Sequence, residues 1–155
     1  MTFTVEVDFE QSAETVFAWL ADLRNRPLWQ GSLRAVDLTA SPPYDVGTRW
    51  LDVTWPGLRP RMEVTVFEPG VRWAERGHWH GLEVDLVLDF TRTPTGKPTG
   101  TTVRAVASTS APGWRRPIGW GLGLLGPAAA RDDLRRAARL MARHSDDGGS
   151  RAPGA

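Results

Sequence analysis

The stretch Trp114–Arg143, WRRPIGWGLGLLGPAAARDDLRRAARLMAR, decides the fold. Ile118, Leu122, Leu125, Ala129, Leu134, Ala138 and Met141 recur at helical steps, while Arg131, Asp132, Arg135, Arg136, Arg139 and Arg143 take the other side. A helix that is half apolar does not stand alone in water, so a sheet must receive it. Its entry carries Gly119, Gly121, Gly123 and Gly126 among Trp120, Leu122, Leu124 and Leu125. Interior glycine costs a helix about 1 kcal/mol against alanine, so this entry should bend, move or pack closely on something. The expectation is a long helix lying across a curved antiparallel sheet and closing one side of an apolar cavity, with Trp120 and Leu124 among the closing residues.

Upstream of that helix the pattern is mostly period two. Phe3, Val5, Val7 and Phe9 share one face of a first strand. Ser12 then offers an N-cap to a short helix bearing Val16, Phe17, Trp19, Leu20 and Leu23. Arg24-Asn25-Arg26-Pro27 breaks it, and Pro27 opens a second short helix through Leu28, Trp29 and Leu33. Six strands follow: Leu33–Ala40, Val46–Trp55, Arg61–Glu68, Val71–Trp79, one from Gly81 through Phe90, and Thr101–Ser110. Pro56-Gly57 and Pro69-Gly70 mark turns between them. Consecutive hairpins make an antiparallel sheet with one solvated face, and the long helix covers the other. Residues 1–143 then form one domain, and the aperiodic 144–155 a disordered tail.

Several loose motifs recur in order: the opening VEVDFEQSAETVFAWLADLRNRPLW, Val46-Gly47-Thr48-Arg49, Phe67-Glu68-Pro69-Gly70, Gly100-Thr101-Thr102-Val103 and the terminal amphipathic helix. Their order and spacing resemble the START-like (SRPBCC) superfamily of polyketide cyclases/dehydrases and lipid-transport proteins. The resemblance implies an α+β helix-grip fold and a hydrophobic small-molecule ligand, polyketide-, aromatic- or lipid-like. That superfamily hosts enzymes, carriers and sensors, so fold alone leaves open whether the chain catalyses cyclisation or dehydration or only carries its ligand.

Composition narrows the classes. The formal net charge is +1 and Lys97 is the only lysine, which gives no electrostatic case for nucleic acid. Without cysteine there is no disulfide framework or thiol chemistry. No apolar run is long enough to span a bilayer, so a cytoplasmic protein without stable membrane insertion is expected, as monomer or homodimer. Eight tryptophans against one tyrosine are unusual; most should be core and rim, and some should line the cavity.

Candidate chemistry follows from strand register. A two-residue turn at Pro69-Gly70 sets Glu68 opposite Val71 and hence Val64 opposite Glu75. Carried outward, this gives a concave row of Val53, Val64, Glu75, Leu86 and Ala107, with Trp73 and Trp79 flanking Glu75 on its own strand. A carboxylate there suits proton abstraction beside a carbonyl or a hydrogen bond to a ligand hydroxyl. Two plainer readings stand beside it: a register slip would turn Glu75 outward, or a cation such as Arg49 would simply pair with it. Arg49, on the face of Leu51 and Val53, is the second candidate, able to hold an enolate or carboxylate, or else a rim residue with its stem packed and its head in water. His78 and His80 share a strand face but no third ligand lies near, so no metal and no cofactor is expected. Gly121-Leu122-Gly123-Leu124-Leu125-Gly126 spells a dinucleotide fingerprint without the βαβ context that gives it meaning. Asp132 and Asp133 read as a solvated, salt-bridged helix face.

Overall fold

The computed structural model describes residues 1–93, 100–110 and 126–149, with side chains to residue 144. The alternating segments form seven strands: β1 (Thr2–Phe9), β2 (Leu33–Asp37), β3 (Arg49–Thr54), β4 (Arg61–Glu68), β5 (Arg72–Trp79), β6 (Leu82–Arg92) and β7 (Thr101–Ser110). They make one antiparallel sheet in the order β1-β7-β6-β5-β4-β3-β2. Helix α1 (Ala13–Leu20) starts where Ser12 Oγ accepts the Thr15 N–H, at 3.3 Å. A 3₁₀ turn (Leu23–Asn25) leads into α2 (Arg26–Trp29), which has proline in its first turn. The terminal helix α3 (Pro127–Gly149) packs on β1 and α2, completing an α+β helix-grip fold.

Helix α3 buries Leu134, Ala137 and Met141, spaced to form one stripe, with Ala130 and Ala138 half-buried beside them. It runs on past Arg143 to Gly149, into residues whose lack of periodicity reads as a tail. Lys97 and the glycine-rich stretch 119–125, with Trp120 and Leu124, lie outside the described residues, as does 150–155.

The space between sheet and helices divides in two along the strands. Under α1, Phe17 meets Phe67 and Phe90 edge to face with ring centroids 5.3 and 5.2 Å apart, and Trp73 at 6.5 Å. Toward α2 and α3 the inward residues shrink: Trp73 gives way to Gly77 on β5, and Val103 to Ala105 and Ala107 on β7. Large side chains fill the first half, and small ones leave the second hollow.

Register explains which residues reach the hollow. At the β4–β5 turn Glu68 faces Arg72, not Val71, because the connection takes in Val71 as well as Pro69 and Gly70. A β-bulge between Val64 and Val66 then moves the pairing back by one, so Val64 faces Glu75 after all. Glu75↔Leu86 and Leu86↔Ala107 continue the row to Phe3 opposite Ala107. On the other side the expected row fails. Val64 exchanges backbone hydrogen bonds with Gly47 and Thr48, so it lies level with Thr48 and not with Val53. The connection Trp55–Pro60 is longer than a Pro-Gly turn and is tied by Leu58 to Thr54. An odd slip turns every side chain of β3 over. Trp50 and Asp52 therefore point inward, while Arg49 points to solvent.

Candidate functional site

A cavity of about 180 Å³ occupies the hollow half. Its walls are overwhelmingly apolar: Leu86, Val84 and Leu82 from β6, Ala105 and Ala107 from β7, Trp79 and Gly77 from β5, Trp29 from α2, Leu134 and Ala130 from α3. A hole of roughly 150 Å³ holds benzene, so this one has room for one or two rings. Pro56, Leu58 and Pro60 from the β3–β4 connection and His78 from the end of β5 also border it. Adding a Cβ at Gly77 would bring it to 2.8 Å from Met62 Sδ, so glycine keeps this part of the wall thin.

One wall is ionic. Arg26 lies at the start of α2 and is 3% exposed, yet it is satisfied at both ends of its fork. Nη1 donates to Glu75 Oε2 at 2.6 Å and Nη2 to Asp52 Oδ2 at 3.0 Å. Trp50 donates its indole N–H to Asp52 Oδ1 at 2.8 Å, and Trp73 donates to Glu75 Oε2 at 3.1 Å. The guanidinium carbon also sits 5.3 Å from the Trp50 ring centroid, within cation–π range. Burial by itself pushes the Arg26 pKa down; the charges and hydrogen bonds of Asp52 and Glu75 more than reverse this and hold it above the ordinary arginine value. Arg26 is thus a fixed cation, and Glu75 and Asp52 are fixed in orientation by it.

The accounting of lone pairs leaves one acceptor over. Asp52 uses both oxygens, whereas both donors to Glu75 go to Oε2. Among the described residues nothing donates to Glu75 Oε1, and Glu75 lines the cavity. Arg26 Nε, Trp29 Nε1 and Gln30 Oε1 also lack partners, but packing seals those three atoms from cavity and solvent alike.

Asp133 of α3 also borders the cavity and accepts the Gly31 N–H at 2.9 Å, tying the terminal helix to the α2–β2 turn. It belongs to the inner side of α3 and not to the solvated face expected of it, since Leu134 and Ala130 turn the same way. Burial raises its pKa, with the Gly31 hydrogen bond and Arg136 pulling the other way.

Of the residues singled out from sequence, Glu75, Trp79, Leu86 and Ala107 come together on the cavity wall. Val64 and Trp73 lie in the packed half, Trp73 reaching the site through its indole N–H. Val53 is buried on the opposite face of β3, and Arg49 is exposed and bonded to Glu63 at 2.9 Å, so neither takes part. Arg26 and Asp52 were missed: Arg26 sits in what reads as a chain break, and Asp52 was placed outside by the β3 slip. The available signal was Pro27, which makes Arg26 the first residue of a helix and not part of a loop.

A family model described as polyketide cyclase / dehydrase and lipid transport matches residues 1–146. A Deinococcus radiodurans protein of known structure is 26% identical, with 91% of this chain and 96% of that one covered at a TM-score of 0.65. A Mesorhizobium loti protein is 21% identical, covering 92% of this chain and 98% of its own, with a TM-score of 0.70. One from Thermus thermophilus is 15% identical, covering 94% and 99%, with a TM-score of 0.69. The last two share the fold. No curated protein matches the sequence. Among the described residues no helix is long and apolar enough to cross a membrane.

Proposed function

The chain belongs to the polyketide cyclase/dehydrase and lipid transport family, and from that premise we propose that it binds an apolar, ring-bearing small molecule between sheet and terminal helix and moves a proton on it with Glu75. The observation that carries this reading is an apolar cavity holding a buried carboxylate with one oxygen unengaged. In a ring closure Glu75 Oε1 takes the proton from a carbon beside a carbonyl. The electron pair left behind forms a carbon–carbon bond to a second carbonyl, and the proton goes to the resulting alkoxide. Loss of that hydroxyl as water needs the same carboxylate to take a second proton from the carbon beside the carbonyl and pass it to the departing hydroxyl, the electron pair left behind forming a carbon–carbon double bond. Arg26 is the positioning residue that keeps Glu75 aimed, and the apolar walls keep bulk water out.

A second reading, a carrier without chemistry, is favoured by the ion cluster itself: Arg26 satisfies both acids as a purely structural bridge would. Binding and conversion are tested separately. Naphthalene binding to the wild-type protein, followed by its fluorescence, should weaken at least tenfold in Leu86→Trp, whose side chain fills the hollow; no binding to wild type defeats both readings. Native mass spectrometry of freshly purified protein identifies any retained molecule, and Glu75→Gln should keep that molecule but stop its conversion. Conversion undiminished in Glu75→Gln leaves the carrier.

A further inference from the structure

We infer that the occupant of this cavity turns a hydrogen-bond donor, a hydroxyl or an ammonium, toward Glu75 Oε1, and that anionic amphiphiles such as fatty acids are rejected. This rests on the binding reading above and goes beyond it by fixing the sign and polarity of the ligand's head. Among the described lining residues the charges are unequal: Asp52, Glu75 and Asp133 stand against the single guanidinium of Arg26, with Arg136 acting on Asp133 from outside the lining. His78, the remaining ionisable neighbour, is exposed and lies 3.9 Å from Glu83. Arg26 is already committed to two carboxylates, and its Nε is sealed by packing, as is the indole N–H of Trp29. Among the described lining residues an incoming carboxylate would thus find no uncommitted guanidinium or ammonium, only neutral groups such as the Ser32 and Thr109 hydroxyls, and it would meet three carboxylates. In an apolar enclosure such repulsion is poorly screened.

A donor meets the opposite situation. Glu75 is 2% exposed, its Oε1 is unpartnered, and its position is locked by two bonds to Oε2. A hydroxyl supplies the missing hydrogen bond. An ammonium supplies it and also offsets the excess negative charge, with Trp29 and Trp79 in the wall as ring partners for a cation. Apart from Gln30, Ser32, Thr54, His78 and Thr109, the rest of the described lining is apolar, so the body of the ligand is a ring system.

Four probes with one ring system read this directly on the wild-type protein at pH 7: naphthalene, 2-naphthylmethanol, 2-naphthylmethylamine and 2-naphthoate, by calorimetry. The alcohol and the amine should each bind at least tenfold more tightly than naphthoate, and which leads tells hydroxyl from ammonium. Glu75→Gln should narrow the lead of the alcohol and of the amine over naphthoate. Naphthoate equal to or tighter than the other two overturns the inference while leaving the cavity reading intact. So does naphthalene binding as well as the alcohol and the amine, since the head would then be making no contact. Failure of all four defeats the binding reading itself. Because the wild-type series decides the matter, an unfolded Glu75→Gln protein would not rescue it.

Discussion

Strand β5 carries two acid–base arrangements from adjacent residues, and they live in different media. Arg76 faces outward and bonds Asp85 of β6, directly opposite it, at 2.7 Å; Arg72 does the same with Asp89 at 2.6 Å. Glu75, one residue away, faces inward to Arg26 and Asp52. The outer pairs are half open to water, their arginine side chains 55% and 49% exposed. Distances are alike on the two faces; the dielectric is not. Outside, water would replace a lost partner at little cost. Inside, each charge depends on the others, so the inner cluster is an obligation of the fold, at the wall of a cavity where apolar residues would pack as well.

The largest effect that would break this comparison comes from Arg26→Ala. Two carboxylates would be left buried without their cation, and the expected loss is about 3–5 kcal/mol of unfolding free energy in urea. Replacing Arg26, Asp52 and Glu75 together with Met, Leu and Leu should restore most of it, because removing a whole buried cluster is often neutral. A small loss in Arg26→Ala would mean that water reaches the cluster and that inner and outer faces do not differ.

Asp133 stands between the two extremes. Its folded pKa is raised from the ordinary 3.8, first by burial. The neutral acid is therefore the form the fold prefers: the associated stability is present below 3.8 and is lost as pH rises through the raised value. Asparagine keeps an acceptor for the Gly31 N–H without the charge. Asp133→Asn should melt a few degrees above wild type at pH 7, on the order of 1–3 °C, and the advantage should shrink as pH falls toward 4. Thermal unfolding across that range checks it. An advantage that grows with acid would mean that Asp133 is held ionised.

How much of this the sequence disclosed depends on the length of each connection. The hydrophobic alternation of β6 and β7 and the stripe of α3 were legible because periodicity is a local property. Val64 opposite Glu75 was reached through a turn one residue too short, and the bulge near Thr65 cancelled the error. No such correction occurs between β3 and β4. The expected row sets Val53 level with Val64, whereas Val64 lies level with Thr48, and that odd slip of five residues exchanges Arg49 and Val53 for Trp50 and Asp52. Arg26 could not be found by pattern at all. A buried glutamate calls for a cation, yet only tertiary packing selects which of many arginines answers, and this one comes from 49 residues upstream.

The smallest effect sharpens the comparison from the other side. Arg76→Ala removes a cross-strand pair with geometry as good as that of the inner cluster: a 2.7 Å bond to a residue directly opposite. The Asp85 hydrogen bond, and then its charge, raise the Arg76 pKa, so an attraction exists. Water on one side of the pair weakens that attraction, and holding two long side chains in one geometry costs entropy that offsets much of the rest. The melting temperature should therefore fall by less than about 2 °C, and the difference should fade in 1 M salt, where the screening length is about 3 Å. The same salt should leave the Arg26→Ala deficit nearly untouched, because ions do not enter a wall that is 3% exposed. If both deficits respond to salt alike, the two faces of β5 share one environment, and the unengaged oxygen of Glu75 is merely wet.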